Sequence, residues 1–288
     1  GRPGRTRNHL RARSIPATGS HGPGQHPVGL LVALAASLFT TAALSQPTDA
    51  KTRLASWDRH LRLEAESPFK DLIWRAVGPA FCGGRIQSLA VHPARPYTLY
   101  VGVGSGNVWR SDNNGLTWTP IFENESTFAI GDIAIAPSNP DIVWAGTGEI
   151  LMARSSYAGT GVFKSTDGGQ TWTNMGLHDS QHIGRVLIDP KDANIVYVAA
   201  IGRNFSTNEE RGLFKTTDGG TTWSKVLYVN ERVGVIDAEM DPVDGNILYA
   251  AAWERDRKPW GHVVAGAGSG FYKSTDAGTS WRKIARGL

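Results

Sequence analysis

The sequence predicts an all-β protein, a β-propeller, from three observations. An octet that ends in tryptophan recurs as STDGGQTW at 165–172, TTDGGTTW at 216–223 and STDAGTSW at 274–281, with a degenerate copy, SDNNGLTW, at 111–118. Four glycines that open apolar runs follow one another at intervals of 47, 53 and 50 residues: Gly84, Gly131, Gly184 and Gly234. Runs of Val, Ile, Tyr and Trp broken by Gly, Asn, Asp and Pro are typical of strands. A period of about 50 residues with four strands is typical of a propeller blade.

Each repeat has the same order of elements. An alternating apolar run leads into a short polar turn with proline, and a second apolar run follows. An aromatic strand such as GVFKST at 161–166 then leads into the octet, and a short strand closes the unit. We therefore expect four four-stranded blades over 72–288, forming a partial ring, with innermost strands near 85, 131, 184 and 234.

The octet has the composition of a tight turn between the third and fourth strands of a blade. Its glycines tolerate positive φ, and its aspartate can accept hydrogen bonds from the N–H groups of the turn. The closing tryptophan is expected to bury its ring against the blade. Asn113 replaces the aspartate in the first copy, which predicts a weaker turn. We assign a structural role to Asn113, Trp118, Asp167, Trp172, Asp218, Trp223, Asp276 and Trp281.

The N-terminal region has the pattern of an export signal. Residues 1–27 contain five Arg and no acid, residues 28–44 are uncharged, and small residues precede Gln46. Residues 1–45 are therefore predicted to be a disordered basic lead with a signal peptide. An uncleaved membrane anchor and a buried helix are the alternatives. Residues 46–71 are predicted to be a linker with a helix at about 54–66, where Leu54, Trp57, Leu61 and Ala65 share a face.

Charge and cysteine content exclude several classes of protein. The formal net charge is +4, from 30 basic and 26 acidic residues, and removal of 1–45 leaves 25 against 26, a net charge of −1. Nothing in the remainder indicates a nucleic-acid surface. Cys82 is the only cysteine, so no internal disulfide is expected, and we interpret it as a small half-buried residue. No histidine pair has zinc spacing and 241–246 lacks the calcium-loop pattern, so neither a metal nor a cofactor is predicted.

The octets, Ser-x-Asp-x-Gly-x-Thr-Trp, resemble the Asp-box (BNR) repeat of sialidases, xyloglucan-cleaving glycosidases and sortilin-type (VPS10) propellers. The resemblance covers roughly 72–288. IWRAVGPAFCGGRI at 73–86 and VWAGTGE at 143–149 are most similar to exported bacterial proteins named sortilin-like or "glycosyl hydrolase" BNR proteins. This resemblance implies a ligand-binding propeller in an exported bacterial protein that is periplasmic, secreted or membrane-anchored.

The segment LIWRAVGP at 72–79 resembles an outer strand, because Trp74 corresponds to the octet tryptophans, yet no other strand of a blade precedes it. We expect it to complete the last blade of a longer parent protein, of which this chain is an N-terminal fragment. The four blades would then form an open arc that aggregates when it is expressed alone.

The up-and-down order of the strands in each blade predicts two faces that differ in the length of their connections. If strands A to D run outward from the centre, the short A–B and C–D turns share one face and the longer B–C and D–A loops share the other. Variable polar loops on a repeated frame are common ligand sites. The candidate residues at that end are Arg85, Asp132, Glu149, Arg154, His182, Arg185, Arg203, Glu254 and Arg255. A solvated polar rim with local salt bridges is the alternative. We expect Trp253 and Trp260 to be buried around a proline turn, with sugar stacking or a plug between blades as the alternative role.

The sequence favours a non-enzymatic scaffold that binds a peptide, a glycan or a protein. The alternative is the N-terminal part of a glycoside hydrolase, sialidase-like or xyloglucanase-like. Xyloglucanase-like enzymes have a catalytic Asp after an inner strand, where this chain has GVGSGNVW at 102–109, without an acid. No nucleic-acid partner is expected, and contact with a membrane is expected only through an uncleaved N-terminal anchor.

Overall fold

The computed structural model describes residues 47–73, 84–151, 153, 155–258 and 260–285. The predicted export segment, Cys82, Arg154 and most of the segment 72–79 lie outside these residues. Helix α1 spans Ala50–Glu66, and it begins four residues before its predicted start because the Asp49 carboxylate caps it, accepting a 2.8 Å hydrogen bond from the Thr52 N–H. The described ranges contain no helix that is long and apolar enough to cross a membrane.

Four antiparallel four-stranded sheets follow α1, as predicted. Blade 1 consists of β1 (Ile86–Val91), β2 (Leu99–Val103), β3 (Val108–Ser111) and β4 (Thr119–Pro120). Blade 2 consists of β5 (Ile130–Ile135), β6 (Val143–Thr147), β7 (Val162–Ser165) and β8 (Thr173–Asn174). Blade 3 consists of β9 (Ile183–Ile188), β10 (Val196–Ala200), β11 (Gly212–Thr216) and β12 (Ser224–Leu227). Blade 4 consists of β13 (Val233–Met240), β14 (Leu248–Glu254), β17 (Gly270–Ser274) and β18 (Arg282–Lys283), with a hairpin, β15 (Asp256–Lys258) and β16 (Gly261–Val263), inserted between β14 and β17.

The repeat glycines are explained by close approach of the innermost strands, which pack side by side in the order β1, β5, β9 and β13. A Cβ atom at Gly131 would collide with the main-chain oxygen of Ile183, and one at Gly184 with that of Ile236. Glycine therefore allows neighbouring blades to meet at their inner ends.

The hydrophobic core is divided into three layers, one between each pair of adjacent blades. Strands β6 and β10 are buried along their full length because a neighbouring blade covers each of their faces. Among the described residues, each outer blade is covered on one face only. They expose Ile86, Leu89 and Val91 at one end of the row and Tyr249 and Phe271 at the other.

The octets form the predicted turns between the third and fourth strands. The Asp167 carboxylate accepts hydrogen bonds from the main-chain N–H groups of Gln170 and Thr171, both at 2.9 Å, and from the hydroxyl of Thr171 at 2.6 Å. The Ser165 hydroxyl donates to the same carboxylate at 2.7 Å. Asn113 reproduces the main-chain contact, accepting from the Thr117 N–H at 2.9 Å, but its amide donates to the Thr117 hydroxyl.

Candidate functional site

The turns and the loops lie on separate faces, which we call the turn face and the loop face. On the turn face, octet N–H groups donate to A–B turn oxygens: Gly168 to Asp141 at 2.9 Å and Gly219 to Asn194 at 3.1 Å. The loop face comprises the described residues of 121–129, 148–161, 175–182, 201–211, 228–232 and 255–269. Here the Gly159 N–H, in a B–C loop, donates to the Gln181 oxygen of a D–A loop at 2.6 Å. These contacts follow the predicted division.

Three of the candidate residues form a chain of contacts at the inner end of the loop face. Arg85 holds the carboxylate of Glu149 through Nε and through Nη2, the latter at 2.9 Å, and the Glu149 side chain is fully buried. The Nδ1 atom of His182 lies 2.9 Å from the Glu149 main-chain oxygen. Burial lowers the pKa of His182 to about 4, so this imidazole is neutral at neutral pH. This chain of contacts links the first three blades.

Asp132 and Arg185 connect the innermost strands of successive blades. The buried Asp132 carboxylate accepts from the Ser88 hydroxyl at 2.6 Å and from the Val186 N–H at 2.8 Å, and thus joins blade 2 to blades 1 and 3. Burial raises the pKa of Asp132. Arg185 pairs with Asp237 at 3.1 Å and also with Glu239, both in blade 4. These contacts indicate that Asp132 and Arg185 hold neighbouring blades together.

The remaining described candidates lie in the B–C loops or, for Glu254, at the end of the strand that leads into one. Arg203 pairs with Asp179 at 3.0 Å. Glu254 accepts from the Gly268 N–H at 2.8 Å and so holds its own loop. The buried Arg255 donates to the Leu151 oxygen at 3.2 Å and lies over the Trp253 ring, 4.6 Å from its centroid. The structure therefore does not bring the eight predicted residues that it describes together as one open cluster; Arg154, the ninth, lies outside the described residues.

Arg211 is a buried residue of the loop face that the sequence analysis did not select. Its guanidinium donates to the main-chain oxygens of Arg203 at 2.7 Å, Ser206 at 2.9 Å and Arg232 at 3.1 Å. Burial lowers its pKa to about 10. Arg211 thereby shapes the B–C loop of blade 3 from within. Its position directly before β11 is the only sequence signal that would have pointed to it.

Exposed aromatic side chains are a second feature of the loop face, and apart from Trp253 and Trp260 the sequence analysis did not select them. Phe128 and Tyr157 contact each other on the loop face, with ring centroids 4.9 Å apart. Phe205 and Tyr228 are also exposed there. Trp260, which lies directly before β16 in the turn of the β15–β16 hairpin, is 84% exposed, so the expectation of a buried Trp253–Trp260 pair is wrong for Trp260. Trp253 is half-buried and donates to the Val264 oxygen at 2.6 Å.

Glu125 is a third feature of the loop face that the sequence analysis did not select. It lies in the D–A loop between blades 1 and 2, where burial raises the pKa of its carboxyl to about 7. A carboxyl group with this pKa exchanges protons readily near neutral pH. Across the described residues, no three side chains from His, Cys, Asp and Glu come together in an arrangement that could hold a metal ion.

A family model described as sortilin, neurotensin receptor 3, matches residues 106–259, more than half of the chain. The chain belongs to this Sortilin–Vps10 family. It is also 26% identical over 281 residues to a xyloglucanase of a Paenibacillus species, covering 88% of this chain and 24% of that protein. A xyloglucanase of Hypocrea jecorina is 24% identical over 240 residues, covering 73% of this chain and 27% of that protein. The chain spans about a quarter of the length of these curated relatives.

Solved structures show the same fold. The crystal structure of an ancestral GH74 enzyme superposes with a TM-score of 0.53 at 23% identity, covering 69% of this chain and 25% of that one. The GH74 xyloglucanase of Xanthomonas campestris gives a TM-score of 0.53 at 19% identity, covering 72% of this chain and 31% of that one. At these identities the likeness establishes the propeller architecture.

Proposed function

We propose that this chain is the ligand-binding propeller segment of an exported bacterial protein and that its loop face holds a peptide, a glycan or a protein. The observation that carries the proposal is the set of exposed aromatic side chains on that face, the Phe128–Tyr157 pair and Trp260 above all. Aromatic rings offer a large apolar area with little loss of side-chain entropy, which suits stacking on sugars and packing on peptides.

The charged candidates have a supporting part in this proposal. Glu149, Asp132, Arg185 and Arg203 already have partners within the protein. Such pairs hold in one conformation the loops that carry the exposed aromatic side chains. Capture of a ligand therefore falls to the rings, while the paired charges keep the surface in one shape.

The test compares the two faces of the propeller. Binding of xyloglucan oligosaccharides and of a displayed peptide library is measured by calorimetry and by selection for wild type, Tyr157→Ala and Tyr97→Ala. Tyr97 is an exposed tyrosine of the turn face and is the matched control. We expect Tyr157→Ala to weaken binding by about tenfold and Tyr97→Ala to leave it unchanged. Equal effects of the two substitutions would contradict a site on the loop face.

A second candidate function is participation in glycoside hydrolysis. The relatives named xyloglucanases favour it, as does Glu125, whose raised pKa suits a general acid. Glycosidases also need a second carboxylate, whereas Glu149 and Glu254 both have partners in the protein. This candidate therefore ranks second. Release of reducing sugar from xyloglucan, abolished in Glu125→Gln and retained in Glu123→Gln, an exposed neighbour, would support it. No release by the unaltered chain would eliminate it for this segment.

A further inference from the structure

The loop face contains a pocket between blades 2 and 3 that is filled by an arginine of the same chain. Arg53, in the first turn of α1, donates through Nη1 to the Gly159 oxygen at 2.9 Å and through Nη2 to the His178 oxygen at 2.7 Å. Its Nη2 atom also lies 3.5 Å from the Asp179 carboxylate. The side chain is only 20% exposed. The guanidinium thus meets two main-chain oxygens and one carboxylate.

The walls of this pocket are held by bonds that do not involve Arg53. The Asp179 N–H donates to the Glu210 carboxylate at 2.7 Å, and the Asn208 amide donates to the Asp179 oxygen at 2.8 Å. Arg203 pairs with the Asp179 carboxylate, and the Gly159 N–H is bonded to the Gln181 oxygen. Removal of Arg53 would therefore leave the three acceptors in place. A site with this support is preorganised for its ligand.

Helix α1 itself is attached weakly. None of its side chains is fully buried, and its partly buried apolar residues are Ala50, Leu54 and Trp57. Among the described residues, every hydrogen bond and ion pair that joins α1 to the blades comes from Arg53. Because this contact depends on one side chain, another molecule that carries a guanidinium group can compete with it.

The chemistry of the pocket selects arginine. Its acceptors lie around the planar guanidinium of Arg53 and accept hydrogen bonds from two different nitrogens. The guanidinium fork matches such a spread, whereas an ammonium group concentrates its donors on one atom at the end of a flexible stem.

We propose that this pocket is a binding site for the arginine side chain of a peptide or protein partner and that α1 occupies it in cis as a competing ligand. The proposal rests on the proposed function, because it names one ligand chemistry for the same loop face. Displacement of α1 would expose the loops on which the helix lies, so arginine binding would open part of this face.

The experiment uses the full chain with Arg53→Ala, which empties the pocket, and a fluorescent peptide of residues 47–66 as the probe. We expect the variant to bind the peptide and wild type to bind it at least about tenfold more weakly, because α1 competes. The same peptide with Arg53→Lys should bind about tenfold more weakly. The peptide also contains Arg59 and Arg62, so Arg59→Ala and Arg62→Ala peptides, which should bind normally, are matched controls.

Two results would overturn the proposal: no binding of the peptide to the Arg53→Ala protein, or equal binding of the peptides with and without Arg53. A second variant, Asp179→Asn in the Arg53→Ala background, should weaken binding of the peptide while the protein stays folded, and Asp189→Asn on the turn face should not weaken it. Oligosaccharide and library binding are measured on the same proteins. Loss of Tyr157-dependent binding with arginine binding intact overturns only the proposed aromatic site, and the converse overturns only the arginine pocket.

Discussion

The indole Nε1 of Trp172, in blade 2, donates a hydrogen bond of 2.7 Å to the main-chain oxygen of Ile121, in blade 1. The ring packs edge-on against Phe122 of blade 1, with centroids 5.2 Å apart. Trp223 repeats the contact one blade later, donating to the Met175 oxygen at 2.7 Å and packing on Trp144. The last residue of the octet thus fastens its blade to the preceding one. Trp281 differs, since it donates to Gly278 of its own turn at 3.1 Å.

Replacement of Trp172 by Phe should remove the hydrogen bond between the blades while keeping most of the ring. We expect the free energy of unfolding to fall by about 1 kcal/mol, the usual net contribution of such a bond, with a further cost for the smaller ring. Urea unfolding measures the change. Trp118→Phe is the control, because that ring is 39% exposed, and its effect should be smaller. Equal losses for the two variants would show that the contact with blade 1 does not matter.

Asp167→Ala should destabilise the octet turn by about 1 kcal/mol through lost hydrogen bonds. Peptide or glycan binding should persist, because the turn face is remote from the loop face. Asp58→Ala, on the exposed side of α1, should change neither property. A folded Asp167→Ala protein that no longer binds ligand would move the site to the turn face.

The same aspartate predicts a dependence on pH. Burial acts to raise the pKa of Asp167, but hydrogen bonds from Thr171, Ser165 and Gln170 outweigh it and lower the pKa to about 2. A carboxyl group whose pKa is lowered in the folded state stabilises the protein at pH values above its ordinary pKa of about 3.8. This contribution is lost as the pH falls toward 2. The stability difference between wild type and Asp167→Ala should therefore narrow below about pH 4. A difference that stays constant over this range would contradict the assignment.

His182 should make the stability of the protein depend on pH in a higher pH range than Asp167 does. Burial lowers its pKa from 6.5 to about 4, so the unfolded chain binds the proton more readily between these values. The free energy of unfolding should fall as the pH decreases from 6.5 to 4, with about 3 kcal/mol as the limit. His182→Asn should flatten this part of the stability profile, while His60→Asn, on the exposed side of α1, should not. An unchanged profile in His182→Asn would show that other groups cause the acid response.

The exposed apolar residues of the two outer blades should cause self-association. Leu89 is 62% exposed on β1, beside Ile86 and Val91, and Phe271 is exposed on β17. We expect residues 46–288 to form concentration-dependent aggregates, visible by light scattering, and Leu89→Glu with Phe271→Glu to reduce them. Leu116→Glu, which changes an exposed leucine on the turn face, is the control. A monodisperse monomer of the unaltered protein would contradict the expectation.

The sequence by itself determined the four blades of the described part of the chain, the order of their strands and the division into two faces. These features follow from neighbouring residues: the alternation of apolar side chains, the positive φ of glycines such as Gly169, and the acceptor oxygen of Asp167 within its own turn. Each acts over a few residues, so each can be recognised as a local pattern. The role of the repeat glycines beyond opening a strand was not predicted, because the Ile183 oxygen that excludes a side chain at Gly131 belongs to the next blade.

Only the tertiary structure decided how the candidate site is arranged. Arg85 and Glu149 are 64 residues apart, and Arg53 is 106 and 125 residues from the two main-chain oxygens that it binds. Whether a charged side chain stands free or is paired depends on which loops the stacking of the blades brings together. The exposure of Trp260 and the raised pKa of Glu125 likewise depend on how much of each loop its neighbours cover. Burial and pairing are properties of contacts between distant segments, and for that reason a local pattern of residues does not encode them.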